Sequence, residues 1–207
     1  MKLIFLNYCI IIILQRLLHA KRNKVNLLFR YILFYIPFLF PYLYSGVKGI
    51  SHNYRLSELD KILPLILCKG MVSYNIMSNQ IIFQKNFISI FPKTGKTTLI
   101  IKLYESVGSS VLEELFYRYF FLSILIDELK GNVSICLVSI FFVISHLLNI
   151  NYMKKFNLKK LLILLLFSFG ITYLYFSYKN IYLNIFVHLL FNLPYIIFYI
   201  QTTDWKK

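Results

Sequence analysis

Three short groups of polar residues lie in otherwise apolar stretches of this 207-residue chain. The first is "EELFYR", which holds Glu113, Glu114 and Arg118. The second is "FVISH", from Phe142 to His146, and the third is "HLLFN", from His188 to Asn192. A charge at membrane depth costs at least about 2.5–3.5 kcal/mol on insertion scales, so such residues usually face other helices or a cavity and carry function. Glu114 and Arg118 are four apart, share a helix face and can neutralise one another as an ion pair. Glu113 is turned about 100° away and has no such partner. In an apolar setting it is a carboxyl group able to take up a proton near neutral pH, as a general base must. His188 and Asn192 also share a face, and Phe142 lies one turn before His146. One carboxylate, two imidazoles and a carboxamide suit a hydrolytic or proton-transfer site. On the residues alone two alternatives stay open: a proton-coupled transporter, and purely structural polarity in which a histidine is a strut and Glu114–Arg118 a clasp.

The elements that must position these groups are apolar helices. The chain is 58% hydrophobic, against roughly 45–50% for soluble domains. The surplus apolar surface implies a lipid bilayer as partner. The net charge of +15 sits mostly beside apolar runs, the pattern of cytoplasmic loops and not of a nucleic-acid surface. Stretches 107–126, 133–150, 158–176 and 181–200 are each near the length of a spanning helix. The short breaks "DELKGN", "NYMKKFN" and "SYKN" make them antiparallel neighbours in a bundle. Leu3–Leu18 and Leu27–Tyr44 add two spans, the second interrupted by Pro37 and Pro41. Ile62–Met77 and Ile81–Phe91 are weaker, in keeping with re-entrant or interfacial segments. The expected fold is an all-α, polytopic integral membrane bundle of about six to eight transmembrane helices. If "NYMKK" marks the cytoplasmic face, Glu113, His146 and Asn192 lie roughly 7–12 Å from it, with His188 about one turn deeper. Of the last four helices, the third contributes no charged residue, histidine or carboxamide to this level.

The chain divides into 1–24, a first transmembrane helix with a basic flank or a signal- or transit-like leader; 25–106, membrane helices and loops; 107–201, the bundle with the polar groups; and 202–207, a polar tail. Cys9, Cys68 and Cys136 show no metal or disulfide spacing and read as buried thiols. "FPKTGKTTLI" imitates a phosphate-binding loop, but Ile90 stands where such a loop needs its first glycine. No nucleotide is expected, and the stretch reads as a basic connecting loop.

The three groups, in this order and on these helices, resemble the motifs EExxxR, FxxxH and HxxxN of the CPBP family, the CAAX protease and bacteriocin-processing or Abi family. The stretch "FGITYLYFSYKNIYLNIFVHLLFN" also looks like that family's third helix, turn and final motif helix. The similarity covers roughly 107–195. It implies a multi-pass membrane endopeptidase that cleaves near the C-terminus of a prenylated CaaX-type protein. By the resemblance Glu113 activates the attacking water with His146 helping to hold it. His188 and Asn192 donate to the oxyanion, and Glu114 and Arg118 brace Glu113. The family has been called metallopeptidase. Glu113, His146 and His188 would then be the ligands of a Zn²⁺ ion, while a metal-free mechanism needs only the same residues and no cofactor. "SHLLNIN" lacks the additional histidines of the endoplasmic-reticulum branch, and Phe191 stands where that branch tends to have cysteine. The chain therefore looks more like the prokaryotic or plastid branch. The expected membrane is the endoplasmic reticulum or, if the N-terminus is a leader, a plastid-like organelle. A catalytically silent scaffold on the same fold is the alternative function.

Overall fold

The structure, a computed structural model, describes residues 2–20, 35–36, 38–39, 56–148 and 158–205. Among them all regular elements are helical. The order is α1 (Lys2–Ala20), α2 (Glu58–Ser78), a 3₁₀ turn (Gln80–Phe83), α3 (Lys85–Ser89) and α4 (Lys96–Glu113). α4 runs into a π-helical segment (Glu114–Leu122) and then α5 (Ser123–Glu128). α6 (Gly131–Leu147), α7 (Leu158–Tyr178) and α8 (Ile181–Thr202) follow.

α7 and α8 are long and apolar enough to cross a membrane; α6 is apolar but shorter. At 1.5 Å per residue each of the two is about 30 Å long, the thickness of a hydrocarbon core. Leu158, Leu162 and Leu166 of α7, and Tyr182 and Phe186 of α8, point outward and are exposed. Large apolar side chains in rows four apart on an outer face are what lipid contact requires. The expected six to eight spans are not reached among the described residues. α2 carries Glu58, Asp60, Lys61 and Lys69 and is not among the helices apolar enough to cross a membrane. The stretch 107–126 is divided between α4, the π segment and α5. Stretch 81–91 forms only the 3₁₀ turn and the five-residue α3. Leu27–Tyr44 lies outside the described residues, apart from Tyr35, Ile36, Phe38 and Leu39.

Packing gives α2 a role that its composition conceals. It runs antiparallel to α7 along its length. At one end the Tyr173 hydroxyl donates to Asp60 Oδ1 (2.6 Å) and the Ser177 hydroxyl to the Asp60 carbonyl (2.8 Å). Near the middle Gly170 faces α2, where a Cβ would make ordinary contact with Leu67 Cβ at 3.4 Å and Cys68 Sγ at 3.5 Å. At the far end Lys159 Nζ lies 5.7 Å over the Tyr74 ring. Ser57 and Asp60 form a reciprocal cap at the start of α2, which satisfies amides that a helix end leaves open.

The main core gathers around the π segment. Phe116, Tyr117, Phe120 and Leu122 are buried there against Tyr8 and Ile11 of α1 and Phe142 of α6. The Tyr8 hydroxyl donates to the Phe141 carbonyl at 2.7 Å. α7 and α8 join through Lys179, whose φ is 52°, and Asn180, whose side chain caps α8 by accepting from the Leu183 amide. Thr94 bridges Thr203 in parallel, with Thr94 N–H donating to the Thr202 carbonyl and Asp204 N–H to the Thr94 carbonyl, both at 2.8 Å. The start of α4 and the end of α8 are thereby tied. The loop imitating a phosphate-binding motif is the exposed lead into α4, with Gly95 at its cap position. Of the three cysteines only Cys68 is buried; Cys9 is half-buried and Cys136 exposed, all as free thiols. The expectation of three buried thiols holds at Cys68 alone: Cys9 is only partly covered, and Cys136 lies on the outer face of α6.

Candidate active site

The change of helical form falls on the first motif. Glu113 ends α4, and Glu114 and Arg118 lie in the π segment. Such widened turns are uncommon and recur at functional sites. Both Glu114 and Arg118 are fully buried. Arg118 Nη1 donates to Glu114 Oε1 at 3.1 Å. Its remaining nitrogens reach α7: Nη2 donates to Ser168 Oγ at 3.0 Å and Nε to Thr172 Oγ1 at 3.3 Å. The guanidinium also lies 4.4 Å over the Phe142 ring, a favourable position for a desolvated cation. Phe142 of the second motif is thus the floor under Arg118 as well as the neighbour of His146, at 4.4 Å between ring centroids.

Glu114 is filled on both oxygens. Oε1 takes Arg118 and also His188 Nδ1 at 2.8 Å, and Oε2 takes Asn184 Nδ2 at 3.3 Å. A carboxylate buried this completely must be surrounded by donors. His188 faces an acceptor, so its Nδ1 carries the hydrogen and Nε2 is the atom left to act. Asn192 lies one turn further along α8 and donates to Ser110 Oγ at 3.0 Å. Ser110 in turn donates to the Ser106 carbonyl at 2.8 Å. The register of α8 against α4 is therefore antiparallel, with Asn184 and His188 at Glu114 and Asn192 at Ser110. This places His188 level with Glu114, so the one-turn offset in depth is absorbed by packing.

Glu113 is separate from that knot. It is almost fully buried, and its Oε2 lies 3.9 Å from His146 Nε2. His146 Nδ1 is 2.9 Å from the Phe142 carbonyl. A carbonyl accepts, so Nδ1 carries the hydrogen, and the Nε2 of a neutral His146 is an acceptor facing a carboxyl oxygen. Four residues escape the sequence reading although they build the site: Ser110, Ser168, Thr172 and Asn184. The third of the last four helices, expected to contribute nothing, supplies two hydroxyls to Arg118. That expectation weighed charged residues, histidines and carboxamides and passed over hydroxyls. Asn184 had a usable signal, because it precedes His188 by the same four residues that separate His188 from Asn192.

Among the described residues no three His, Cys, Asp or Glu side chains gather closely enough to hold a metal ion. The trio Glu113, His146 and His188, considered for Zn²⁺, does not converge because His188 is drawn to the other carboxylate, Glu114. No step here is routed through a metal.

The described elements are all helical, and the three motifs meet between them as buried carboxylates, a buried guanidinium and imidazoles. Residues 95–194, just under half of the chain, match the family model described as type II CAAX prenyl endopeptidase Rce1-like. That match supports the CPBP, or CAAX protease, family of membrane endopeptidases for this region; CAAX members of that family are not known to need a cofactor. No curated protein and no solved structure matches the chain.

Proposed function

We propose that this protein hydrolyses a peptide bond near the C-terminus of a prenylated CaaX-type protein, using water activated by Glu113. The observation that carries the reading is the facing pair of Glu113 Oε2 and His146 Nε2, 3.9 Å apart. When Glu113 is ionised and His146 neutral, both atoms accept and neither donates. A single water supplies the two hydrogens they lack, and its oxygen lone pair is then turned outward to a substrate carbonyl. Attack forms the C–O bond as one water proton passes to Glu113. The carbonyl oxygen becomes an oxyanion, within the scope of the second Asn192 amide hydrogen and of His188 Nε2 when that ring is protonated. Collapse breaks the C–N bond, and Glu113 returns the proton to the leaving amine. Glu114 and Arg118 form a neutral pair beside this chemistry. A proton can therefore reside on Glu113, or move to His188, without changing the net charge of the buried cluster.

The test is cleavage of a farnesylated CaaX peptide by the purified protein in detergent, with Glu113→Gln alongside and each repeated with a chelator. Cleavage by the wild type and none by Glu113→Gln supports the reading, and an unaffected chelator lane supports the metal-free form. No cleavage by a folded wild type refutes the substrate and favours a scaffold role. We assign the endoplasmic reticulum or a plastid-like organelle as the membrane, to be read by localising the tagged full chain.

A further inference from the structure

Asn184 belongs to none of the three motifs, yet it occupies the floor of the site. It is fully buried. Its Nδ2 is shared between the Ile171 carbonyl at 2.7 Å and Glu114 Oε2 at 3.3 Å. This fixes the orientation of the amide, because the flipped form would set an oxygen against two acceptors. The cost is visible on the other side: Asn184 Oδ1 is buried without a hydrogen-bond partner among the described residues. An apolar residue of the same volume would avoid that desolvated oxygen. On a helix otherwise rich in Ile, Leu and Phe, the cost of that oxygen stands against the donor Asn184 gives to Glu114.

What it does hold is Glu114. Arg118 and His188 both bind Oε1, and a carboxylate anchored at one oxygen can swing about it. Asn184 takes the second oxygen from the opposite side and ties it to α7 through Ile171. We propose that Asn184 is a positioning residue, which locks the Glu114 carboxylate so that His188 is held with Nε2 facing the substrate. The proposal rests on the proteolytic reading above, but one of its tests does not.

The variants are Asn184→Leu and, should leucine prevent folding, Asn184→Ser, each made in the full chain. For the farnesylated peptide, kcat should fall by about ten- to a hundredfold, the range for losing one hydrogen bond to a charged group. KM should stay within about twofold, because the lost contact is not to substrate. The thermal midpoint of Asn184→Leu should change little, because the lost donor to Glu114 Oε2 is offset by removal of the unpartnered Asn184 oxygen. Independently of activity, the chain has 4 histidines, so ¹⁵N-histidine spectra with His188→Gln as reference identify the His188 ring. Its signals should move in the Asn184 variant while those of His146 stay. Unchanged kcat, unmoved His188 signals, or a fall in activity matched by a fall in midpoint overturns the proposal. If the wild type cleaves no prenylated peptide, the proteolytic reading fails, and the histidine spectra still decide the role of Asn184.

Discussion

Arg118 is the largest fully buried side chain among the described residues, and removing it tests how the site is held together. Arg118→Ala leaves the Glu114 carboxylate buried with its main counter-charge gone. It also removes the donors to Ser168 and Thr172 and the cation over Phe142. Breaking one side of a buried ion pair costs about 3–5 kcal/mol. At about 2–4 °C per kcal/mol for a chain of this size, the thermal midpoint should drop by roughly 6–20 °C. The companion variant is Glu114→Leu with Arg118→Met. It removes both charges and refills the volume, so the uncompensated charge disappears. What remains is the His188 Nδ1–H without its acceptor, worth about 1–3 kcal/mol; the Asn184 amide keeps the Ile171 carbonyl. The double variant should therefore be more stable than Arg118→Ala by about 2 kcal/mol, although neither should cleave substrate. The assay is thermal unfolding of the purified chain in one detergent, followed by tryptophan fluorescence or circular dichroism. The pair is shielded from solvent, so the difference should persist from low to high salt. A double variant no more stable than the single would refute the account of Glu114 and Arg118 as a mutually dependent buried pair.

Ser110→Ala removes the acceptor of Asn192. It should lower kcat by about tenfold with little change in midpoint, because the freed Asn192 amide no longer holds its place by the oxyanion; unaltered kinetics would count against that role. Lys179 holds a left-handed backbone, φ 52°, which costs a side-chain-bearing residue roughly 1–2 kcal/mol. Allowing for the entropy glycine adds to the unfolded chain, Lys179→Gly should raise stability by about 0.5–1 kcal/mol, read as a higher midpoint with unchanged cleavage. Asp60 caps the start of α2, and the Tyr173 hydroxyl, then Ser57, hold its carboxyl below the usual carboxylate value. A depressed folded-state value contributes stability above the ordinary carboxylate range near pH 4, and this is lost as pH falls through the lower folded value. Tyr173→Phe and Asp60→Asn should each flatten the acid limb of a midpoint-versus-pH curve, whereas an unchanged limb would remove this contact from the account.

The candidate residues of this chain stand out by type and spacing. Two glutamates, an arginine, two histidines and an asparagine are costly in apolar helices, so their presence alone marks a site, and the four-residue intervals assign them to faces. The helical class and the lipid-facing surplus follow from composition in the same way, because local propensity and hydropathy are properties of short windows. The span count was not legible by that route. α2 is not apolar enough to register as a membrane element, yet it lies along α7 through Asp60, Gly170 and Tyr74. Nor does any window reveal the π segment, which arises where the buried aromatic row from Phe116 to Leu122 packs against α1 and α6. The division of labour between Glu113 and Glu114 could be argued from a helical wheel. Which helix would meet each could not, because Asn184 and His188 lie 70 and 74 residues from Glu114, and Ser168 and Thr172 lie 50 and 54 from Arg118. Sequence determined which groups are too expensive to be idle. Only the tertiary packing decided that His188 turns to Glu114 and leaves Glu113 facing His146, because that choice depends on helix register and on where each buried charge finds its donors.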